Sequence, residues 1–367
     1  MSDPNRHLSL ACWDYDRAQA LLDGRIEVPG CNLECQAMPP STLFPLAVGE
    51  ARFDVTEMSL SSYLMQVSTE TCAYTAIPVF LSRAFRHGGI FIRADAGIRE
   101  PTDLEGHAVG VPEYQMTAAL WMRGILSDEY GVDISRLIYR TGVLDGGART
   151  ERLPLDLPPE FDVQPISEGS NLNDLLLGGE IDAILAPKPP RAHLEGDPRV
   201  RRLFEDYEEQ ERAYYRSTGF FPIMHLVGIR TSLLEEHPWL AERLLNAFTA
   251  ARDLAMKRLE EVCLDSANRL SLPWLHADFE ETRALMGPNY WPYGVPANRA
   301  ELEWLCKQSF AQHLAARPLA VRNCFTRLFL IEATEQPYDA CPQPPFTNAF
   351  PLWVKSGRFL SLTQQAY

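Results

Sequence analysis

The sequence predicts an α/β protein of two lobes, on three observations. Strand-like and helix-like segments alternate from the start, a short motif is echoed in the second part, and two apolar strand-like runs fall where the chain would cross between lobes. Residues 7–12 have strand character and are stopped by the polar cluster Trp13-Asp14-Tyr15-Asp16-Arg17, after which residues 18–22 are helical. Residues 24–32 turn the chain back, 33–38 read as a second strand, and 42–50 as a helix leading into Phe53-Asp54-Val55-Thr56-Glu57-Met58-Ser59. The echo pairs Gly49-Glu50-Ala51-Arg52-Phe53-Asp54-Val55 with Gly179-Glu180-Ile181-Asp182-Ala183-Ile184-Leu185, each a helix end feeding a short buried strand. The tips that follow, Ser59-Leu60-Ser61-Ser62-Tyr63 and Ala186-Pro187-Lys188-Pro189, are where open α/β sheets take ligands, which predicts a cleft between the lobes.

The second lobe starts near residues 98–104, where 103–112 read as turn then strand and 117–126 as helix. Residues 77–93 form one crossing strand and 218–229 the second, followed by helices over about 238–259, 279–286 and 299–315. The lobes are then 1–93 plus 226–330, and 94–225. This is the topology of a type II periplasmic-binding-protein-like fold, whose expected motion is hinge closure over a ligand.

At 367 residues the chain can bury a core without staples, and its eight cysteines form no C-x-x-C pair, so they read as reduced thiols. With 34 Lys plus Arg against 49 Asp plus Glu, the net charge of -15 repels phosphate backbones and anionic lipid, so neither nucleic acid nor membrane is an expected partner. No apolar run approaches the roughly 18 residues of a membrane span. The run after Arg6 and His7 is broken by Asp14 and Asp16, no secretory leader forms, and the cytoplasm is the expected compartment.

Seven segments, in order, carry a more specific likeness: Asp14-Tyr15-Asp16-Arg17, residues 53–63, Ile77-Pro78-Val79-Phe80, Arg83-Ala84-Phe85-Arg86-His87, Val111-Pro112-Glu113-Tyr114-Gln115-Met116-Thr117, Phe221-Pro222-Ile223-Met224-His225 and Trp291-Pro292-Tyr293-Gly294. Together, over about residues 8–320, they resemble the 4,5-dihydroxyphthalate decarboxylases. The resemblance implies loss of one ring carboxylate from 4,5-dihydroxyphthalate, giving protocatechuate and CO₂ in bacterial phthalate degradation.

Losing an aryl carboxylate directly would leave an unstabilised ring carbanion, so protonation of the ipso carbon is expected first, helped by the hydroxyl para to it. Such a site needs cations for a dicarboxylate, a base for the phenol and an acid for carbon. Arg17, Arg83 and Arg86 are the candidate carboxylate ligands, although strand alternation would put Arg83 and Arg86 on opposite faces, and any of them could instead pair with surface carboxylates. His87 and His225 are the candidate proton carriers, each with the competing reading of a structural histidine in an apolar strand. Glu113 is a candidate base, and Tyr114 and Thr117 open a helix whose amides could face an anion; ordinary helix capping explains the same residues. Ser59, Ser61 and Ser62 are candidate donors to substrate oxygens, without the elbow motif of a nucleophile.

No metal-ligand spacing or nucleotide loop is present, so no cofactor is expected; Asp14, Asp16, His87, Glu113 and His225 are the only set that could converge on a metal. The competing functions are a solute-binding protein and another lyase or cyclase on the same fold. Past Ala320 the resemblance stops, and residues 331–367 read as an atypical tail. With suitable codons, a shifted frame over residues 321–327 would restore Ala-Glu-Leu-Phe-His-Pro, a family-like ending. The tail is then expected to lie loosely on the surface with Phe346, Phe350 and Trp353 exposed, and to be dispensable after about residue 330.

Overall fold

The computed structural model describes residues 5–147, 151–265, 267 and 269–329. Its strands are β1 (Arg6–Cys12), β2 (Cys31–Ala37), β3 (Val55–Ser59), β4 (Tyr74–Arg83), β5 (Ile90–Arg93), β6 (Ala108–Val111), β7 (Ile138–Thr141), β8 (Val163–Pro165), β9 (Ala183–Leu185), β10 (Val200–Arg202) and β11 (Ile223–Arg230). They form two sheets, ordered β2-β1-β3-β11-β4 and β10-β5-β9-β6-β7-β8. In the first, β1 is parallel to β2 and β3 while β11 runs antiparallel to both neighbours; in the second, β6 is parallel to β7 and β9 while β5 is antiparallel to β9 and β10. Both β3 and β9 are buried along their whole length; β9 is a continuous apolar run, whereas β3 carries Thr56, Glu57 and Ser59 inside.

The echoed motif does form helix, turn and strand twice, by different turns. The helix Pro40–Glu50 ends on Ala51 at φ 46°, whereas Leu172–Gly178 starts under the Asn171 side chain and ends on Gly179 at φ 79°. The expected single strand over residues 77–93 is two strands in different sheets, β4 and β5, separated by a 3₁₀ turn at His87–Gly89. The bend is set by close approach: a Cβ on Gly89 would lie 2.8 Å from the Ala186 carbonyl oxygen. The second crossing is shorter than expected, because residues Tyr207–Thr218 are helical and β11 starts only at Ile223.

Helix Arg299–Ala311 packs against both Leu60–Ser68 and Thr117–Tyr130. The rings of Trp304 and Trp121 stack with centroids 4.2 Å apart, and Arg123 Nε donates to Gln312 at 2.8 Å. Gly124 permits this contact, since a Cβ there would sit 2.5 Å from the Trp304 ring. The residues just past the end of the family likeness are packed: Val321, Cys324 and Phe325 are buried, and Tyr63 Oη donates to the Cys324 carbonyl at 2.6 Å. Phe346, Phe350 and Trp353 lie outside the described residues. Among the described residues, no helix is long and apolar enough to cross a membrane.

Candidate active site

The candidate site starts on β3, whose five residues are all buried and include a carboxylate, Glu57. A buried charge requires partners, and the fold supplies three. Glu57 Oε2 accepts from the Trp13 backbone N–H at 2.9 Å, while Oε1 accepts from Tyr15 Oη at 2.7 Å and from His225 Nδ1 at 2.7 Å. The registry explains the last contact: Val227 pairs with Glu57 across β3 and β11, so His225 is the diagonal neighbour on the same face. Because the carboxylate accepts, Nδ1 is the donor, which leaves Nε2 as the working nitrogen. The edge-on Phe44 ring, 4.8 Å away at 88°, fixes the imidazole plane.

Arg17 stands beside this cluster. Its guanidinium lies 3.9 Å from the Trp291 ring centre and 4.4 Å from that of Tyr15, with Nε donating to the Leu81 carbonyl at 2.7 Å and Nη1 to Asp16 at 3.0 Å. The tip after β3 meets the turn that enters helix Thr117–Tyr130, not the expected second tip at residues 186–189. Ser59 Oγ and Thr117 Oγ1 are 2.9 Å apart, Ser61 N donates to Thr117 Oγ1 at 3.0 Å, and Ser62 Oγ donates to Gln115 Oε1 at 3.4 Å. Buried Glu113 accepts from Arg152 Nε at 2.6 Å, and that guanidinium is 5.3 Å from the centre of Phe44, the ring that touches His225.

The remaining expected site residues are placed elsewhere. Arg83 is buried in a polar knot: Nη1 donates to the Phe221 carbonyl at 2.8 Å and to Glu301 at 3.1 Å, and Nη2 donates to the Pro292 carbonyl at 3.1 Å and to Asn298. Arg86 donates to Met224 Sδ at 3.3 Å, on the β11 face opposite His225, and burial pushes its pKa down to about 10. The Tyr114 side chain turns into the second lobe's core, under the Arg123 guanidinium at 3.8 Å and against Tyr139. His87 is 1% exposed in a cage of Tyr130, Phe204 and Tyr214, with neither ring nitrogen hydrogen-bonded. Among the described residues, no three His, Cys, Asp or Glu side chains gather as a metal site.

The cage around His87 has a measurable consequence. Burial pushes its folded-state pKa down from 6.5 to about 4. The stability tied to keeping it neutral is therefore complete above pH 6.5 and lost as pH falls toward about 4, up to roughly 3 kcal/mol. His87→Phe is expected to flatten that acid limb. Denaturant melts across this range check it, and an unchanged limb overturns it.

Glu57 and Tyr15, which join His225 in this cluster, are the candidate residues that sequence reasoning passed over. The one available signal was an acid in the middle of a short strand, between Val55 and Met58, which has to be partnered if the strand is buried.

Two mixed sheets joined by two crossings define the two-lobed fold of the periplasmic-binding-protein type. The same architecture occurs in the periplasmic sulfonate-binding protein SsuA of Methylobacillus flagellatus, at a TM-score of 0.51 and 10% identity over 90% of this chain and 94% of that one. In sequence, the chain is 37% identical over 318 residues to the 4,5-dihydroxyphthalate decarboxylase of Comamonas testosteroni, covering 87% of this chain and 96% of that protein. It is 36% identical over 214 residues to the enzyme of the same name from Pseudomonas putida, covering 58% of this chain and 83% of that one. The chain belongs to the 4,5-dihydroxyphthalate decarboxylase family. No family model matches it.

Proposed function

We propose that this protein removes one carboxylate from 4,5-dihydroxyphthalate, giving protocatechuate and CO₂, by protonating the ring carbon that bears the departing group. The observation that carries the mechanism is the Glu57–His225 pair, a buried carboxylate orienting an imidazole whose Nε2 is left for substrate. The lobes, residues 1–93 with 226–330 and residues 94–225, hold the ring between them. Nε2–H delivers its proton to the ipso carbon, with electron density from the para hydroxyl. The ring-to-carboxylate bond then breaks, its electron pair restores aromaticity, CO₂ leaves, and His225 regains a proton from water. Glu57 stabilises the imidazolium before transfer and holds the tautomer after it.

In a chain of net charge -15 a dianion needs local cations, and Arg17 and Arg152 are the candidates beside Tyr15 and Glu113. Arg17, stacked on Tyr15 and Trp291, neutralises one carboxylate at the mouth, and the Ser59 and Thr117 hydroxyls face the ring. Glu113, clamped by Arg152, is the base assigned to the phenol proton.

The purified protein incubated with 4,5-dihydroxyphthalate is expected to release CO₂ and protocatechuate. Phthalate is expected to be inert, because it lacks the hydroxyl that makes ring protonation feasible. Equal turnover of both compounds overturns the mechanism, and no product from the first overturns the function.

A further inference from the structure

One carboxylate already sits in this cleft on donors arranged for an anion, and it belongs to the protein. Glu151 Oε1 accepts from the backbone N–H of Tyr114, and Oε2 accepts from the backbone N–H of Gln115 at 3.3 Å and from Gln115 Nε2 at 3.1 Å. These donors lie in the turn that enters helix Thr117–Tyr130, so the positive end of the helix backs them. The Gln115 amide is oriented from both sides: its Oε1 accepts from Ser62 Oγ of the other lobe, and its Nε2 also donates to the Leu153 carbonyl at 3.2 Å.

The next residue supplies an independent sign of a missing partner. The Arg152 side chain is nine-tenths buried, yet its Nη1 has no hydrogen-bond partner. A buried guanidinium N–H with nothing to bond costs free energy, and a second carboxylate oxygen is the group that its fork fits. Burial, and to a lesser degree the charge of Glu113, push the Glu151 carboxyl up even though three donors hold it.

Resting on the proposed decarboxylation, we infer that the Tyr114 and Gln115 amides with Arg152 form the subsite for the carboxylate that the substrate keeps, and that Glu151 fills it as an internal carboxylate which an aromatic dicarboxylate displaces. The ligand brings its own anion to the same donors and completes the bonding of Arg152. The His225 tip lies across Phe44 from that guanidinium, which puts the other carboxylate's carbon on the acid side of the ring. Displacing an internal competitor lowers apparent affinity by the fraction of molecules in which the cradle is open, so removing the competitor raises it.

The test titrates the full-length protein with phthalate by calorimetry, comparing wild type with Glu151→Ala, Glu151→Gln and Arg152→Gln, each first checked for an intact thermal transition. Both Glu151 variants are expected to bind phthalate at least about tenfold more tightly, and Arg152→Gln about tenfold more weakly. If Glu151 were only a cap on the turn, its removal would loosen the site, and binding would stay the same or weaken. That outcome in the folded Glu151→Gln protein overturns the subsite even if Glu151→Ala fails to fold. Product formation from 4,5-dihydroxyphthalate is scored separately. Turnover by wild type with unchanged phthalate affinity in the Glu151 variants sinks the subsite alone, whereas tightened phthalate binding without turnover sinks the reaction and keeps the subsite.

Discussion

Replacing His225 by Gln is expected to lower kcat by roughly 10²–10⁴-fold while phthalate still binds, because the variant keeps the shape of the cleft and loses the proton donor. Glu57→Gln is the companion experiment. The amide is isosteric with the carboxylate but offers one acceptor oxygen in place of two, so it can serve Tyr15 and His225 on one side or the Trp13 N–H on the other, and the imidazole loses the charge that steadies its protonated form. Its loss is expected in kcat with little change in KM, the split that marks a positioning residue. Steady-state kinetics on folded variants decide the matter. Near-wild-type kcat/KM in both would remove the pair from the mechanism.

Arg83→Ala is expected to cost about 3–5 kcal/mol of stability, the range for leaving one member of a buried ion pair alone. Glu301 is the member left behind. Its Oε1 accepts from the Ile223 N–H at 2.6 Å at the start of β11, and burial holds its carboxyl at about 7 against the pull of Arg83. The double variant Arg83→Met, Glu301→Leu removes both charges and is expected to recover most of the loss. Urea titration of the three proteins measures this. A folded, fully stable Arg83→Ala enzyme with a raised KM would instead return Arg83 to the substrate.

How far the sequence could be read follows the range of each signal. Alternation, the echoed motif and the apolar run before Arg230 are local or repeated, so the two-sheet architecture was legible from them. His225 was legible as a histidine in an apolar strand next to a tip. Glu57 was not, because a buried acid declares itself only through partners, and these come from residues Trp13, Tyr15 and His225, which the sequence sets far apart. Arg83 and His87 misled for a related reason. The motif around them is compact in sequence, but β4 ends at Arg83, and the chain then bends between sheets. Alternation stops applying there, and each side chain takes its surroundings from distant elements: Asn298 and Glu301 for one, Phe204 and Tyr214 for the other. The reaction and its dicarboxylate substrate were legible only through the family likeness, since charge and spacing name no substrate.

The place of β11 has a consequence for the order in which this molecule comes into being. It lies between β3 and β4, pairing Val227 with Glu57 on one side and Ile77 on the other, although those two strands are joined by little more than helix Leu60–Ser68. A nascent chain that has not reached Ile223 therefore presents two open strand edges side by side and a buried-to-be carboxylate with no imidazole to receive. Closing so long a loop adds little extra entropy, but the search for a non-local insertion is slow, and the waiting edges can pair with each other or with another chain. The Glu57–His225 contact thus cannot form until β11 is made, and the half-made first sheet carries an exposed edge until then.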